Sequence, residues 1–93
     1  MTKSVCVRLK VRYFLNEKGL KDFPSWYTEM SAMTAKQDGF VSLKCDNDGK
    51  TPVVFLEFES QNKLDAWIAT DTHDLIADRI EQYFIAPQNV EIV

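Results

Sequence analysis

The stretch that decides the fold is residues 54–73, VFLEFESQNKLDAWIATDTH. Its first part belongs to a run, residues 53–59, in which side chains alternate between two faces, the two-residue period of a β-strand. Ser60 follows at the position of a helix N-cap, and the next apolar residues recur at helical spacing: Leu64, Trp67 and Ile68. The stretch therefore predicts a strand that passes directly into an amphipathic helix.

This helix is predicted to break near Thr70. The polar run Thr70-Asp71-Thr72 interrupts the apolar pattern, which then resumes at Leu75, Ile76, Ile80, Tyr83 and Phe84. Asp71 and Asp74 have the spacing of a cap for a restarted helix. We therefore expect a kink or a short gap between two helical halves.

Two more strands precede this stretch. Residues 4–15 alternate, with one face formed by Val5, Val7, Leu9, Val11 and Tyr13. Residues 40–45 alternate as well, with Val41, Leu43 and Cys45 on one side and Phe40 on the other. A polar loop at 46–52 containing Asp48-Gly49 joins this strand to the one at 53–59, which predicts a hairpin.

A first helix is predicted between the strands at residues 4–15 and 40–45. Its apolar stripe is Phe23, Trp26, Tyr27, Met30 and Met33 or Thr34. Pro24 is placed in the first turn, where a missing N–H costs little, and Asp22 is a plausible cap. Asp38-Gly39 is expected to end the helix.

With a short last strand at 90–93 after Pro87, the element order is β-α-β-β-α-β. That order predicts the α+β, ferredoxin-like fold: a four-stranded antiparallel sheet, strands 1 and 3 central, with both helices on one face. We expect residues 1–93 to form a single domain of this kind.

The sheet face away from the helices has a mixed composition. It is predicted to carry cations and carboxylates beside apolar residues, namely Arg8, Lys10, Arg12, Lys44, Glu57 and Glu59 with Phe14, Phe40, Val53 and Phe55. Such a face more often packs on a partner than on water. We expect a homodimer formed sheet to sheet through the face carrying Arg8, Arg12, Phe55 and Glu57.

Composition excludes several classes. The chain has 93 residues, net charge −3, two cysteines and one histidine. These values argue against a nucleic-acid binder, a membrane protein, a disulfide scaffold and a zinc finger. The N-terminus shows no signal-peptide pattern, and unpaired thiols fit the cytoplasm.

Residues 54–73 also resemble the antibiotic biosynthesis monooxygenase-like family, whose members share a hydrophobic strand, a small polar cap, a Leu/Ala-Trp helix, a small-residue break and a histidine. Gly19, the Phe23/Trp26 helix and Asp38-Gly39-Phe40 extend the similarity more loosely. The resemblance implies a dimeric α/β barrel with a pocket between helices and sheet in each subunit. Some relatives oxygenate phenolic compounds to quinones without metal or flavin, so no cofactor is expected, with O₂ as co-substrate.

Other relatives degrade haem or isomerise small phosphorylated ketones. The haem branch needs an asparagine on the first strand and a histidine one turn beyond His73, and this sequence has neither. Three hypotheses remain: a cofactor-independent monooxygenase for a small aromatic or quinol-type metabolite, an isomerase of a small phosphorylated ketone, and a non-catalytic small-molecule-binding or stress-related barrel. A cationic pocket would favour the isomerase.

The candidate catalytic residues are His73 and Trp67. His73 is the only side chain whose ordinary pKa lies near neutrality, which suits a general base, although a polar residue in a first helical turn is the simpler interpretation. The resemblance places Trp67 at the pocket wall with its N–H free for a substrate oxygen; core packing is the alternative. The candidate substrate-binding residues are Tyr13, Trp26, Tyr27 and Asn62. No metal site is predicted.

The charged group on the outer face, Arg8, Lys10, Arg12, Glu57 and Glu59, could be an anion site or a structural ion network. Cys6 and Cys45 fall on opposite strand faces, so a disulfide between them is not expected.

Overall fold

The computed structural model describes residues 6–93. Along this range the strands are β1 (Val7–Arg12), β2 (Phe40–Asp46), β3 (Val53–Phe58) and β4 (Asn89–Ile92), and the helices are α1 (Glu17–Ala35), α2 (Gln61–Ile68) and α3 (Asp71–Glu81). Ser4 and Val5 of the predicted first strand, and the N-terminal residues before them, lie outside the described residues. Each predicted element is present.

The strands form one antiparallel sheet in the order β2-β3-β1-β4. β1 and β3 are therefore central, as predicted. Their register pairs Leu9 with Leu56 and Val11 with Val54, so the apolar faces of the two strands coincide. This topology is the ferredoxin-like α+β fold, and the prediction of the fold class is confirmed.

The core lies between the sheet and the helices. Phe58 and Val54 from β3 are 0% and 3% exposed, and Phe23 from α1 and Leu64 from α2 are 1% and 2% exposed. Val7, Leu9, Val11, Leu43, Cys45 and Leu56 pack against this cluster from the sheet. All three helices within residues 6–93 thus cover the same face of the sheet.

The predicted start of α1 is wrong. The helix begins at Glu17, because the Asn16 side chain accepts a hydrogen bond from the Gly19 amide at 2.8 Å and so acts as the N-cap. Asp22 and Pro24 lie inside the helix rather than at its start. Pro24 is exposed, so water can reach the carbonyl that its missing N–H leaves free.

The predicted break near Thr70 is confirmed, but its cap is a different residue. Ser60 caps α2, with its hydroxyl accepting from the Lys63 amide at 3.3 Å. Thr70, rather than Asp71 or Asp74, caps α3, and both aspartates lie in the first helical turn, where a negative charge is favourable.

A β-bulge changes the predicted faces of β2. The register shifts between Phe40 and Ser42, so Phe40 faces the core and meets the Phe58 ring edge-on at 6.2 Å, whereas Val41 is 44% exposed. The prediction put these two residues on the reverse faces. An extra residue in a strand inverts the alternation before it, which the sequence period cannot reveal.

β4 is an edge strand that pairs with β1 and is exposed at all four residues. Its apolar residues Val90 and Ile92 lie opposite Val11 and Leu9, on the helix-bearing face. No helix within residues 6–93 is long and apolar enough to cross a membrane.

Candidate active site

A cavity of about 230 Å³ lies between the sheet and the helices. Its walls come from β1, β2, β3, β4 and all three helices: Leu9, Val11, Tyr13, Trp26, Met30, Thr34, Leu43, Val54, Leu56, Leu64, Trp67, Ile68, His73, Ile76, Ala77, Ile80, Gln88 and Val90. None of these residues carries a formal charge when His73 is neutral. The cavity is thus an apolar chamber with a few polar groups, which is typical of small-molecule sites.

Helix α1 lines the cavity with Trp26, Met30 and Thr34, spaced four residues apart on one face. The Trp26 indole N–H donates to the Ile76 carbonyl at 2.8 Å, and the Thr34 hydroxyl donates to the Met30 carbonyl at 2.7 Å. These donors are therefore satisfied within the protein. Trp26 forms part of the cavity wall and links α1 to α3, and its indole N–H is not free for a ligand.

Trp67 and His73 meet across the break between α2 and α3. Their ring centroids are 5.3 Å apart and the planes are nearly perpendicular, at 87°. The Thr70 hydroxyl donates to the Trp67 carbonyl at 2.8 Å and accepts from the His73 amide at 3.1 Å. One hydroxyl thereby fixes both backbone positions that carry these rings.

Among the buried side-chain nitrogen and oxygen atoms of residues 6–93, only His73 Nδ1 has no hydrogen-bond partner. The nearest carboxylate oxygen, Asp74 Oδ1, lies at 3.8 Å, which is too long for a hydrogen bond. A buried polar atom without a partner is costly in a protein that only has to fold. The arrangement suits an atom that obtains its partner from a bound molecule.

Tyr13 brings a hydroxyl to the same cavity. Its ring is 7% exposed and packs edge-on against Trp26, with centroids 5.6 Å apart. Burial, with a smaller contribution from the neighbouring Cys45 thiol, raises the pKa of Tyr13 well above its ordinary value. The phenol therefore stays protonated and can act as a neutral hydrogen-bond donor.

The cavity brings together four of the six predicted site residues: His73, Trp67, Tyr13 and Trp26. The other two lie elsewhere. Tyr27 is half-buried and stacks on Phe23 with centroids 6.0 Å apart, and Asn62 is exposed in the first turn of α2. Neither residue lines the cavity, so the prediction that they bind substrate finds no support in its walls and stays a prediction.

Met30, Thr34 and Gln88 line the cavity but were not predicted as site residues. The four-residue spacing of Trp26, Met30 and Thr34 could have identified the first two. Gln88 lies in the connection to β4, and no local pattern marks it.

The charged residues of β1 lie on the opposite side of the sheet. Arg8 pairs with Glu57 in the β1–β3 register, and its Nε is 3.2 Å from Glu57 Oε1. Arg12 donates to the Thr51 hydroxyl at 3.2 Å, and Glu59 lies beyond the end of β3. A groove of about 350 Å³ on this outer face is bordered by Arg8, Ser42, Lys44, Phe55, Glu57 and Val93, among others.

Both cysteines are free, with Cys6 exposed and Cys45 partly buried against the core. A third, more open depression of about 560 Å³ runs along Ala77, Glu81 and residues 84–88. It contains none of the predicted site residues, so the interior cavity is the better candidate in spite of its smaller volume.

No family model matches this sequence, and no curated protein matches it either. Solved structures do match over nearly the whole chain. A conserved protein from Methanosarcina mazei has a TM-score of 0.87 at 13% identity, with 97% of this chain and 92% of that chain covered. An antibiotic biosynthesis monooxygenase has a TM-score of 0.83 at 14% identity, covering 94% and 95%.

SnoaB, a cofactor-independent oxygenase from Streptomyces nogalater, is also similar, with a TM-score of 0.80 at 14% identity and coverage of 95% of this chain and 92% of that chain. Identities this low establish the fold and leave activity open. The resemblance seen in residues 54–73 is thus confirmed at the level of three-dimensional structure: this chain has the fold of the antibiotic biosynthesis monooxygenase-like proteins.

Proposed function

We propose that this protein is a cofactor-independent monooxygenase acting on a small aromatic or quinol-type compound. The observation that carries the proposal is the uncharged cavity on whose walls Tyr13, Trp67 and His73 meet, with His73 Nδ1 buried and unpartnered. The similarity to SnoaB adds support for the reaction class. A planar, electron-rich guest would have flat aromatic walls on several sides.

In the proposed reaction, a phenol is bound in a tautomer that has a CH₂ group next to or conjugated with its carbonyl. His73 removes one proton from this carbon, while the Tyr13 hydroxyl and the Trp67 N–H stabilise the oxygen on which negative charge develops. The carbanion reduces O₂ by one electron and recombines with it to form a peroxide. Loss of water gives a carbonyl, so CH₂ and O₂ become C=O and H₂O.

The isomerase hypothesis is less well supported. A phosphorylated ketone needs cations at its phosphate. Arg8, Lys10 and Arg12 alternate with the cavity-lining Leu9 and Val11 along β1, so they project from the other face of the sheet. A non-catalytic barrel would be favoured by the absence of an enclosed pocket or by His73 and Trp67 packed away from it, whereas both residues line the cavity.

The decisive experiment measures O₂ consumption with a panel of quinols and naphthols, with no metal or flavin added. His73→Ala should lower kcat by about 10²–10⁴-fold, the usual contribution of a general base. Leu75→Ala is a matched control, since Leu75 is 68% exposed on the same helix and does not line the cavity. Unchanged O₂ uptake in His73→Ala would remove His73 from the mechanism.

A homodimer through the outer sheet face is part of the proposal. Phe55 is 39% exposed on this face, beside the Arg8–Glu57 ion pair and the groove that these residues border. A twofold axis would set each copy's mixed face against the other. Cytoplasmic location is likewise a proposal, and it rests on the two free thiols.

A further inference from the structure

The size of the cavity restricts what the proposed enzyme can accept. A cavity of about 150 Å³ suffices for benzene, and pockets for drug-sized ligands measure about 300–1,000 Å³. The 230 Å³ here lies between these values. It suits one substituted ring or two fused rings and is too small for three or four.

The polar groups restrict the guest further. Trp67 and Tyr13 offer donors, because no hydrogen bond within residues 6–93 engages the Trp67 indole N–H or the Tyr13 hydroxyl as donor, whereas His73 Nδ1 can accept. An uncharged, largely apolar lining makes entry of a charged ligand expensive. The matching guest is neutral and carries both a hydroxyl and a second oxygen, as a hydroquinone does.

One lining residue stands out as the cause of the size limit. Met30 is 8% exposed and projects from α1 between Trp26 and Thr34. The Thr34 hydroxyl lies 3.4 Å from its Sδ and also donates to its carbonyl, so the side chain is held in one place. Met30 has the long unbranched side chain whose removal would add most space without creating a polar gap.

Resting on the function proposed above, we propose that Met30 is a specificity-determining residue that limits the substrate to neutral one- or two-ring hydroxyarenes. A tricyclic guest would overlap its thioether. Shortening Met30 would join the vacated volume to the cavity and admit the third ring.

The test uses the full chain and three probes of one homologous series, each with a tautomer that contains a CH₂ group beside a carbonyl: 1,4-dihydroxybenzene, 1,4-dihydroxynaphthalene and 1,4-dihydroxyanthracene. Binding is measured without O₂ by quenching of tryptophan fluorescence, and turnover is then measured as O₂ uptake. In the wild type the tricyclic probe should bind at least about tenfold more weakly than the bicyclic probe, as expected for an overpacked site. In Met30→Ala the difference should fall below about threefold.

Met33→Ala is the matched control, because Met33 lies on the same helix but is 39% exposed and off the cavity. If Met30→Ala does not fold, Met30→Val tests the same gain of space. Met30→Phe tests the reverse, and it should weaken binding of the bicyclic probe while sparing the monocyclic one.

Equal binding of the tricyclic probe to the wild type, no binding of any probe, or a size preference unchanged in the Met30 variants would overturn the proposal. Selective binding without O₂ uptake would instead leave the size limit standing and contradict the oxygenase function. Uptake of O₂ with all three probes at similar rates would support the oxygenase function and contradict the size limit.

Discussion

The rings of Trp67 and His73 are held nearly perpendicular at 5.3 Å although the two residues belong to different helices. The Thr70 hydroxyl between them bonds both to the Trp67 carbonyl and to the His73 amide. The interruption of the second helical region is therefore the element that brings a potential base beside an indole donor.

Thr70→Val should impair this arrangement. It removes both hydrogen bonds of the hydroxyl at nearly constant volume, so stability should fall by about 1 kcal/mol, the usual cost of a lost helix cap. Because Thr70 is a positioning residue, kcat for O₂ uptake should fall as well, and Thr70→Ser should restore it. Full activity in a destabilised Thr70→Val would show that the cap is only structural.

The two tryptophans should respond differently to replacement by phenylalanine. Trp26→Phe loses a buried hydrogen bond to the Ile76 carbonyl, which lies within helix α3, and this loss should cost about 0.5–1.5 kcal/mol of stability. Trp67→Phe loses an N–H that bonds no other residue described, so stability should change less and kcat/KM more. Urea unfolding measures the effect on stability, and O₂ uptake measures the effect on kcat/KM. A larger loss of stability in Trp67→Phe and a larger loss of kcat/KM in Trp26→Phe would exchange the roles given to the two residues.

Tyr13 should make the fold sensitive to alkaline pH. The folded state keeps this phenol protonated because burial raises its pKa, whereas the unfolded chain ionises it near pH 10. Above about pH 10 the native state therefore binds more protons than the unfolded state. The contribution of Tyr13 to the free energy of unfolding is complete below about pH 10 and is lost above it, at about 1.4 kcal/mol per pH unit.

Denaturant unfolding measured from pH 8 to 11 checks the expectation. Tyr13→Phe should flatten the decline above pH 10, and Tyr27→Phe, at a less buried tyrosine whose pKa is also raised, should flatten it less. Identical slopes for wild type and Tyr13→Phe would contradict the assignment.

Phe55→Lys should convert the proposed dimer into a monomer. The substitution puts another cation on a face that already carries Arg8, Lys10 and Lys44 and removes an apolar contact. Light scattering should give twice the 10.7 kDa chain mass for the wild type and the single mass for the variant. Leu75→Lys, at an exposed apolar residue of α3, should leave the mass unchanged, and a wild-type monomer at micromolar concentration would contradict the interface.

The sequence predicted the element order because period two and helical spacing are strong in residues 7–14 and 61–80. Strand parity and the helical stripes also put Tyr13, Trp26 and Trp67 on core-facing sides, whereas His73 was expected at the pocket from its ordinary pKa and the family resemblance. Features set by single local contacts were missed. The Asn16 cap outweighed Pro24 as a start signal, and the bulge at Phe40 inverted one face of β2.

Residues at the margin of the core were the least predictable. Tyr27 follows Trp26 by one position, a rotation of about 100° along the helix, and it packs against the core on Phe23 without bordering the cavity. An apolar stripe indicates which side of a helix is buried, but it does not resolve which of its members border a void.

The exposed edge strand has a consequence for how a guest could reach the chamber. Val90 and Gln88 form part of the cavity wall, yet β4 is hydrogen-bonded to a single neighbour and is exposed along its whole length. Strands of this kind detach at a small fraction of the free energy of global unfolding. Amide protons of β4 should therefore exchange before those of β1 and β3. Transient detachment of β4 would open the cavity to a ligand while the rest of the sheet stays intact.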